Sequence, residues 1–200
     1  MKIRLIAALA TALAICLALP ASATIISFSP SSQLVNVGST TTVDLIISGL
    51  GDGAAPSLGT FDLDIGFDAS VLTFNGATFG NQLDLFGLGD INSVTAGVGT
   101  INLFEVSLES AADLDSLQAG SFTLATLSFT ALSDGSSPLS ISVNALGDSL
   151  GDPLQAELVA GSINSIRNIN TVPEPSSLLL VGIGMLGMSL LAKKYRGQRA

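Results

Sequence analysis

The chain has no histidine and no tryptophan, one cysteine and one tyrosine. Each scarcity removes a class of chemistry. Without histidine there is no Ser-His-Asp triad and no imidazole base. Cys16 sits in the apolar leader and Tyr195 close to the last residue, so the stretch between Thr24 and Val172 has neither. That stretch therefore holds no thiol nucleophile, no zinc site of the nitrogen–sulfur kind and no disulfide. Basic residues are equally scarce there. Arg167 is the only one, against fifteen acids, a formal charge of −14 over 149 residues. Such a surface repels phosphates, which excludes nucleic acid and anionic lipid head groups as partners. No phosphate-binding or dinucleotide-binding glycine fingerprint is present. Glycoside hydrolysis on paired carboxylates survives this filter. Sugar clefts stack their rings on Trp or Tyr, however, and the nine aromatics of the body are all Phe. The body is read as non-enzymatic, with no catalytic residue.

The two ends carry addressing information. Lys2 and Arg4 precede an apolar run from Leu5 to Leu19, and Ala21-Ser22-Ala23 follows Pro20. This is the three-part layout of a signal peptide (residues 1–23), with Ala21 and Ala23 as the small residues a signal peptidase accepts and the cut after Ala23. Ile15 before Cys16 is too bulky for a lipoprotein site. At the other end, Ser176 to Ala192 is seventeen residues without charge, followed by Lys193, Lys194, Arg196 and Arg199. At 1.5 Å per residue the run spans roughly 25 Å, close to the ~30 Å of a hydrocarbon core. The basic residues place the tail, 193–200, in the cytoplasm and so the body outside. Both ends predict export of an inner-membrane-anchored precursor.

Ahead of the apolar run stands Val172-Pro173-Glu174-Pro175-Ser176, in a linker of residues 167–175. With the glycine-containing apolar segment (Gly182, Gly184, Gly187) and the basic tail, it resembles the PEP-CTERM sorting signal. The resemblance implies an exosortase as a partner that removes the tail and passes the body to the cell surface or extracellular matrix. The prolines keep the Pro173-Glu174-Pro175 site extended and open to a protease.

Residues 24–166 alternate apolar and polar positions in short runs between Gly, Ser, Asn, Asp and Pro, the pattern of half-buried strands. In Gly59 to Asp68, Phe61, Leu63, Ile65 and Phe67 point one way while Thr60, Asp62, Asp64 and Asp68 point the other. Thr41 to Gly49 does the same with Val43, Leu45 and Ile47 inward. Further runs are Ile25–Phe28, Leu34–Val37, Val71–Phe79, Thr100–Leu108, Phe122–Leu132, Leu139–Ala145 and Leu158–Ile166, about nine strands in all. Phe122–Leu132 and Ile101–Phe104 slip phase, and a β-bulge is expected in each. Only Ala111 to Ala119 suits a helical turn. The fold class is all-β, a two-sheet sandwich, flanked by a signal helix and one C-terminal transmembrane helix.

The order Val37-Gly38-Ser39, Thr42-Val43-Asp44-Leu45, Phe61 to Asp68, Gly120-Ser121-Phe122 and Leu124 to Leu132 resembles a cohesin-type domain, a jelly-roll sandwich. The resemblance implies a protein-binding sheet face that includes the strand of Thr60, Asp62 and Asp64. Asp62 matches the family's acidic position, while Thr60 stands where an amide is usual. The same acids equally serve to keep the strand soluble and block edge pairing. Kinship with sugar-binding sandwiches leaves a carbohydrate-binding module of exopolysaccharide or biofilm matrix as the alternative reading. No cofactor is expected. Asp148 with Asp152 and Asp113 with Asp115 leave a structural calcium open, without the spacing of an EF-hand loop.

Overall fold

The computed structural model describes residues 23–167 and Met185. The expected signal segment up to Ser22, the Pro173-Glu174-Pro175 motif, the 176–192 span and the basic residues Lys193, Lys194, Arg196 and Arg199 lie outside the described residues. Ala23 lies inside them, exposed and just ahead of the first strand. Among the described residues no helix is long and apolar enough to cross a membrane.

Eleven strands and one short helix form the body. They are β1 (Thr24–Ser29), β2 (Ser32–Asn36), β3 (Thr40–Ser48), β4 (Leu58–Gly66), β5 (Leu72–Phe79), β6 (Ile91–Gly97) and β7 (Thr100–Val106). Helix α1 (Ala111–Leu117) precedes β8 (Ser121–Ala131), β9 (Gly135–Asp148), β10 (Ala156–Val159) and β11 (Gly161–Ile166). One sheet has the order β10-β1-β3-β8-β5 and the other β2-β11-β9-β4-β7-β6. Every connection except β6–β7 leads from one sheet to the other, so the two layers are woven together rather than folded over one hinge.

The alternation explains the layers. Val43, Leu45 and Ile47 from β3 meet Phe61, Leu63 and Ile65 from β4, each no more than 1% exposed. Full burial of such a side chain contributes about 2 kcal/mol. Phe129 completes this core on β8, edge-on to Phe67 with ring centroids 5.4 Å apart. Among the described residues the core is drawn from positions 26–163. Gln118, at the end of α1, replaces a missing strand partner: it accepts from the Leu58 amide at 2.6 Å and donates to the Leu58 carbonyl at 2.9 Å.

Several sequence expectations are refined. The bulge in Phe122–Leu132 is present. Leu124 is the unpaired residue of β8, which lets both Leu124 and Ala125 bury. The bulge expected in Ile101–Phe104 is absent, because β7 runs in unbroken register against β4 and β6. Phe104 instead lies outward, and Glu105 takes the inward position after Leu103. Leu158–Ile166 is two strands, β10 and β11, in different sheets. Strand β6 was not expected, since Ile91-Asn92-Ser93-Val94-Thr95-Ala96-Gly97 is exposed throughout and shows no burial rhythm.

Candidate functional site

Strand β4 runs through the middle of the six-stranded sheet, and its outward residues face solvent. Asp62 and Asp64 are adjacent outward positions, which puts their Cα atoms about 7 Å apart. Two carboxylates so placed repel one another unless donors intervene. The neighbouring strands supply them. On β7, Asn102 stands opposite Asp64, and its amide donates to Asp62 Oδ1 at 2.6 Å and Asp64 Oδ1 at 2.9 Å. On β9 the register against β4 shifts at Asn144, which is left unpaired in the ladder. That bulge allows the Asn144 amide to donate to Asp62 Oδ1 at 3.1 Å and Asp64 Oδ2 at 2.9 Å. Each side-chain amide has two N–H donors, and both are spent on the acid pair. The four side chains form a clamp of two carboxylates held between two amides. Its consequence for charge is direct: the Asn144 and then the Asn102 amide hold the Asp64 carboxyl below the usual aspartate range, against a smaller opposing effect of burial. The face carries fixed negative charge.

Thr60, the third residue singled out on this strand, does not join the clamp. Its hydroxyl donates to the Glu105 carbonyl at 3.0 Å. It lines a cleft of about 380 Å³ together with Asn144, Ala145, Gly147 and Leu154. Asn144 is thus shared between the clamp and the cleft. The apolar side of the face comes from β7, where Phe104 stands opposite Asp62 and Val106 opposite Thr60.

The acids considered for calcium are engaged locally. Asp148 Oδ1 accepts from the amides of Leu150 and Asp152 at 2.9 and 2.8 Å, closing a turn. Asp115 Oδ1 accepts from the hydroxyls of Ser57 and Ser149. Asp113 exchanges bonds with Ser110 at the start of α1. Among the described residues no three acidic side chains converge as metal ligands.

Sequence reasoning missed three residues. Asn102 was legible as an outward neighbour had strand pairing been known. Asn144 depends on a bulge that nothing in Ile141-Ser142-Val143-Asn144-Ala145 announces. Glu105 was hidden by the assumed bulge. It is 1% exposed, its Oε1 has no partner, and its other contact is the Asp90 carboxylate. Burial, then the hydrogen bond to Asp90, then the charges of Asp90 and Asp84 push its carboxyl up to about 9. Asp90 moves the opposite way, held below the usual range by the bond from Glu105. A protonated Glu105 thus donates to an ionised Asp90.

Comparison with known proteins agrees with both parts of this architecture. The PEP-CTERM protein-sorting motif matches residues 171–194. The motif marks the chain for exosortase-targeted export and membrane-associated sorting to the cell surface. No curated protein matches the chain. Among solved structures, the sixth cohesin of scaffoldin B from Acetivibrio cellulolyticus, in complex with a Cel5 dockerin, is similar at 19% identity and a TM-score of 0.58. That match covers 72% of this chain and 99% of the other. A cohesin–dockerin complex from Clostridium thermocellum gives 15% identity and a TM-score of 0.58 over 72% and 99% of the two chains. A non-cellulosomal cohesin from Archaeoglobus fulgidus gives 14% and 0.56 over 75% and 96%. At these identities the likeness establishes the fold. The chain is an all-β sandwich similar in structure to cohesins, carrying a PEP-CTERM sorting motif.

Proposed function

We propose that the chain is an exported, exosortase-processed protein of the cell surface or extracellular matrix, and that its sandwich binds another protein without catalysis. The observation that carries this reading is the clamp of Asp62, Asp64, Asn102 and Asn144 on an uncovered sheet face. A strand that needs acids only for solubility has no need of two amides to lock their geometry and lower the Asp64 titration. Carboxylate acceptors held in place by two amides beside Phe104 and Val106 form a recognition surface: the acids set orientation and the apolar flank supplies contact area. The cohesin-like fold supports the same reading, since the similar Acetivibrio cellulolyticus domain is in complex with a dockerin. The precursor is anchored in the inner membrane by residues 176–192 until the exosortase cuts near Pro173-Glu174-Pro175.

The test is a crosslinking pull-down from the native envelope with residues 24–167 as bait. A specific protein should be retained by the wild-type body and lost at least tenfold with Asp62→Lys. Retention of polysaccharide in place of protein would transfer the chain to the carbohydrate-binding reading. The processing step has its own check. Intact mass from a strain without the exosortase should include the tail, and wild-type material should lack it.

A further inference from the structure

Asparagine followed by glycine occurs once in the chain, at Asn75-Gly76, and every other asparagine precedes a residue with a Cβ. The pair sits on β5, a free edge of the five-stranded sheet. Strand β5 contains no charge and no proline, and a bulge interrupts it. Phe74 stands opposite Phe129 and Gly76 opposite Ser128, which leaves Asn75 as the extra residue without a counterpart in the ladder. Gly76 has a φ of 155°, which a residue with a Cβ rarely adopts, yet a Cβ there would meet nothing within 4 Å. The backbone, not packing, requires the glycine, and it leaves the approach to the Gly76 nitrogen open. The Asn75 side chain is exposed and held against β8. Its Nδ2 donates to Thr130 Oγ1 at 2.9 Å and to Ser128 Oγ at 3.3 Å. The Thr130 hydroxyl also lies 3.3 Å from Oδ1 as a donor.

We propose that Asn75 is a self-modification site, converted through a cyclic imide to aspartate and isoaspartate by the backbone nitrogen of Gly76, with the Thr130 hydroxyl facing the developing charge. The step needs only water. The Gly76 N–H gives its proton to solvent base, and the nitrogen lone pair attacks Asn75 Cγ. The carbonyl π pair moves onto Oδ1, where the Thr130 O–H stabilises it. When that pair returns, the Cγ–Nδ2 bond breaks and Nδ2 leaves as ammonia with a proton from solvent. The five-membered imide then takes up water at one of its two carbonyls. Breaking the bond from the Gly76 nitrogen to Cγ gives aspartate. Breaking its bond to the main-chain carbonyl carbon gives isoaspartate, with the chain now running through Cγ. One water enters and one ammonia leaves. Because Asn75 stands outside the ladder, the rotation that brings Cγ to the Gly76 nitrogen disturbs no cross-strand pair. The product places a carboxylate on an edge strand whose bulge is otherwise its protection against pairing. The ammonia escapes, so the charge accumulates with the age of the exported chain.

The full chain, purified in detergent and kept warm for weeks, tests this by peptide mapping with fragmentation that separates aspartate from isoaspartate. Asn75 should convert at least about tenfold faster than any other asparagine of the body, a barrier difference of about 1.4 kcal/mol. The rate should be higher at about pH 8.5 than at about pH 6.5, because the attacking nitrogen must lose its proton. Gly76→Ala should slow conversion at least tenfold. Thr130→Val, which keeps Gly76 and its backbone, should slow it at least threefold in the folded chain and leave the rate in urea unchanged. Circular dichroism reports the folded sheet in each variant. An Asn75 that converts no faster than the other asparagines overturns the proposal. So does conversion confined to the urea-unfolded chain, or a folded-state rate that Thr130→Val does not change.

Discussion

Two pairs of acids lie on the same sheet and reach opposite states. Asp62 and Asp64 stand on the outer face, where Asn102 and Asn144 provide four N–H donors, and the Asp64 carboxyl is held below the ordinary range. Glu105 and Asp90 meet at the inner side of β7, where Glu105 has no N–H donor and its Oε1 is unpartnered. The first pair is resolved by hydrogen bonds, which favour the charged form of Asp64. The second is resolved by a proton, which one member keeps and the other accepts. A carboxylate beside another carboxylate needs either donors or protonation. The neighbouring strands decide which.

The pairs therefore respond oppositely to pH. Glu105 has a folded pKa of about 9 against 4.5 for the ordinary group. Its contribution is complete below the lower value and is lost as pH rises toward the higher one. Stability should fall between pH 5 and 9 with a limiting slope of about 1.4 kcal/mol per pH unit. Glu105→Gln replaces the carboxyl O–H donor to Asp90 with an amide N–H and has no charge to bury. It should flatten that slope and stabilise the body at pH 8 by several kcal/mol, read from urea unfolding midpoints. Equal slopes in both proteins would show that Glu105 is not buried as a neutral acid.

Asp90→Asn, the next largest change, removes the charge that Glu105 faces but leaves Glu105 buried. The slope should persist in weakened form, with a gain of about 1 kcal/mol at pH 8. A slope as flat as that of Glu105→Gln would assign the whole effect to Asp90 and none to burial. The outer pair gives the smallest effect. Asn102→Ala should cost about 0.5–1 kcal/mol and raise the Asp64 titration toward that of an ordinary aspartate, as followed by carboxyl NMR. The sign is reversed here. A lowered pKa contributes stability above the ordinary value and loses it as pH falls through the folded one. Asn102→Ala should thus matter at neutral pH and fade in acid.

How much of this was legible in the sequence depended on burial. Strands β3 and β4 announced themselves because one face of each enters the core, and Val43, Leu45, Ile47, Phe61, Leu63 and Ile65 mark that face in every second position. Strand β6 did not, because water reaches both of its faces and no rhythm is imposed on it. The phase slip in β8 was read correctly as a bulge. The similar slip in β7 was not, since a buried acid and a bulge leave the same trace in a hydrophobic pattern. Asp62 and Asp64 were visible as outward acids, but their clamp was not. It joins residues 40 and 82 positions apart, and one half rests on the bulge at Asn144. Pairing partners across a woven sandwich are a tertiary fact that local alternation does not encode.

The central claim is that donors on adjacent strands favour the charged form of Asp64 on the outer face, while Glu105 on the inner side is silenced by protonation. Carboxyl NMR titration of Asp64 and Glu105 in one sample of the body is its most direct test. The account predicts that Asp64 titrates below an ordinary aspartate while Glu105 is still protonated at pH 7. Titration of both between pH 4 and 5 would contradict it.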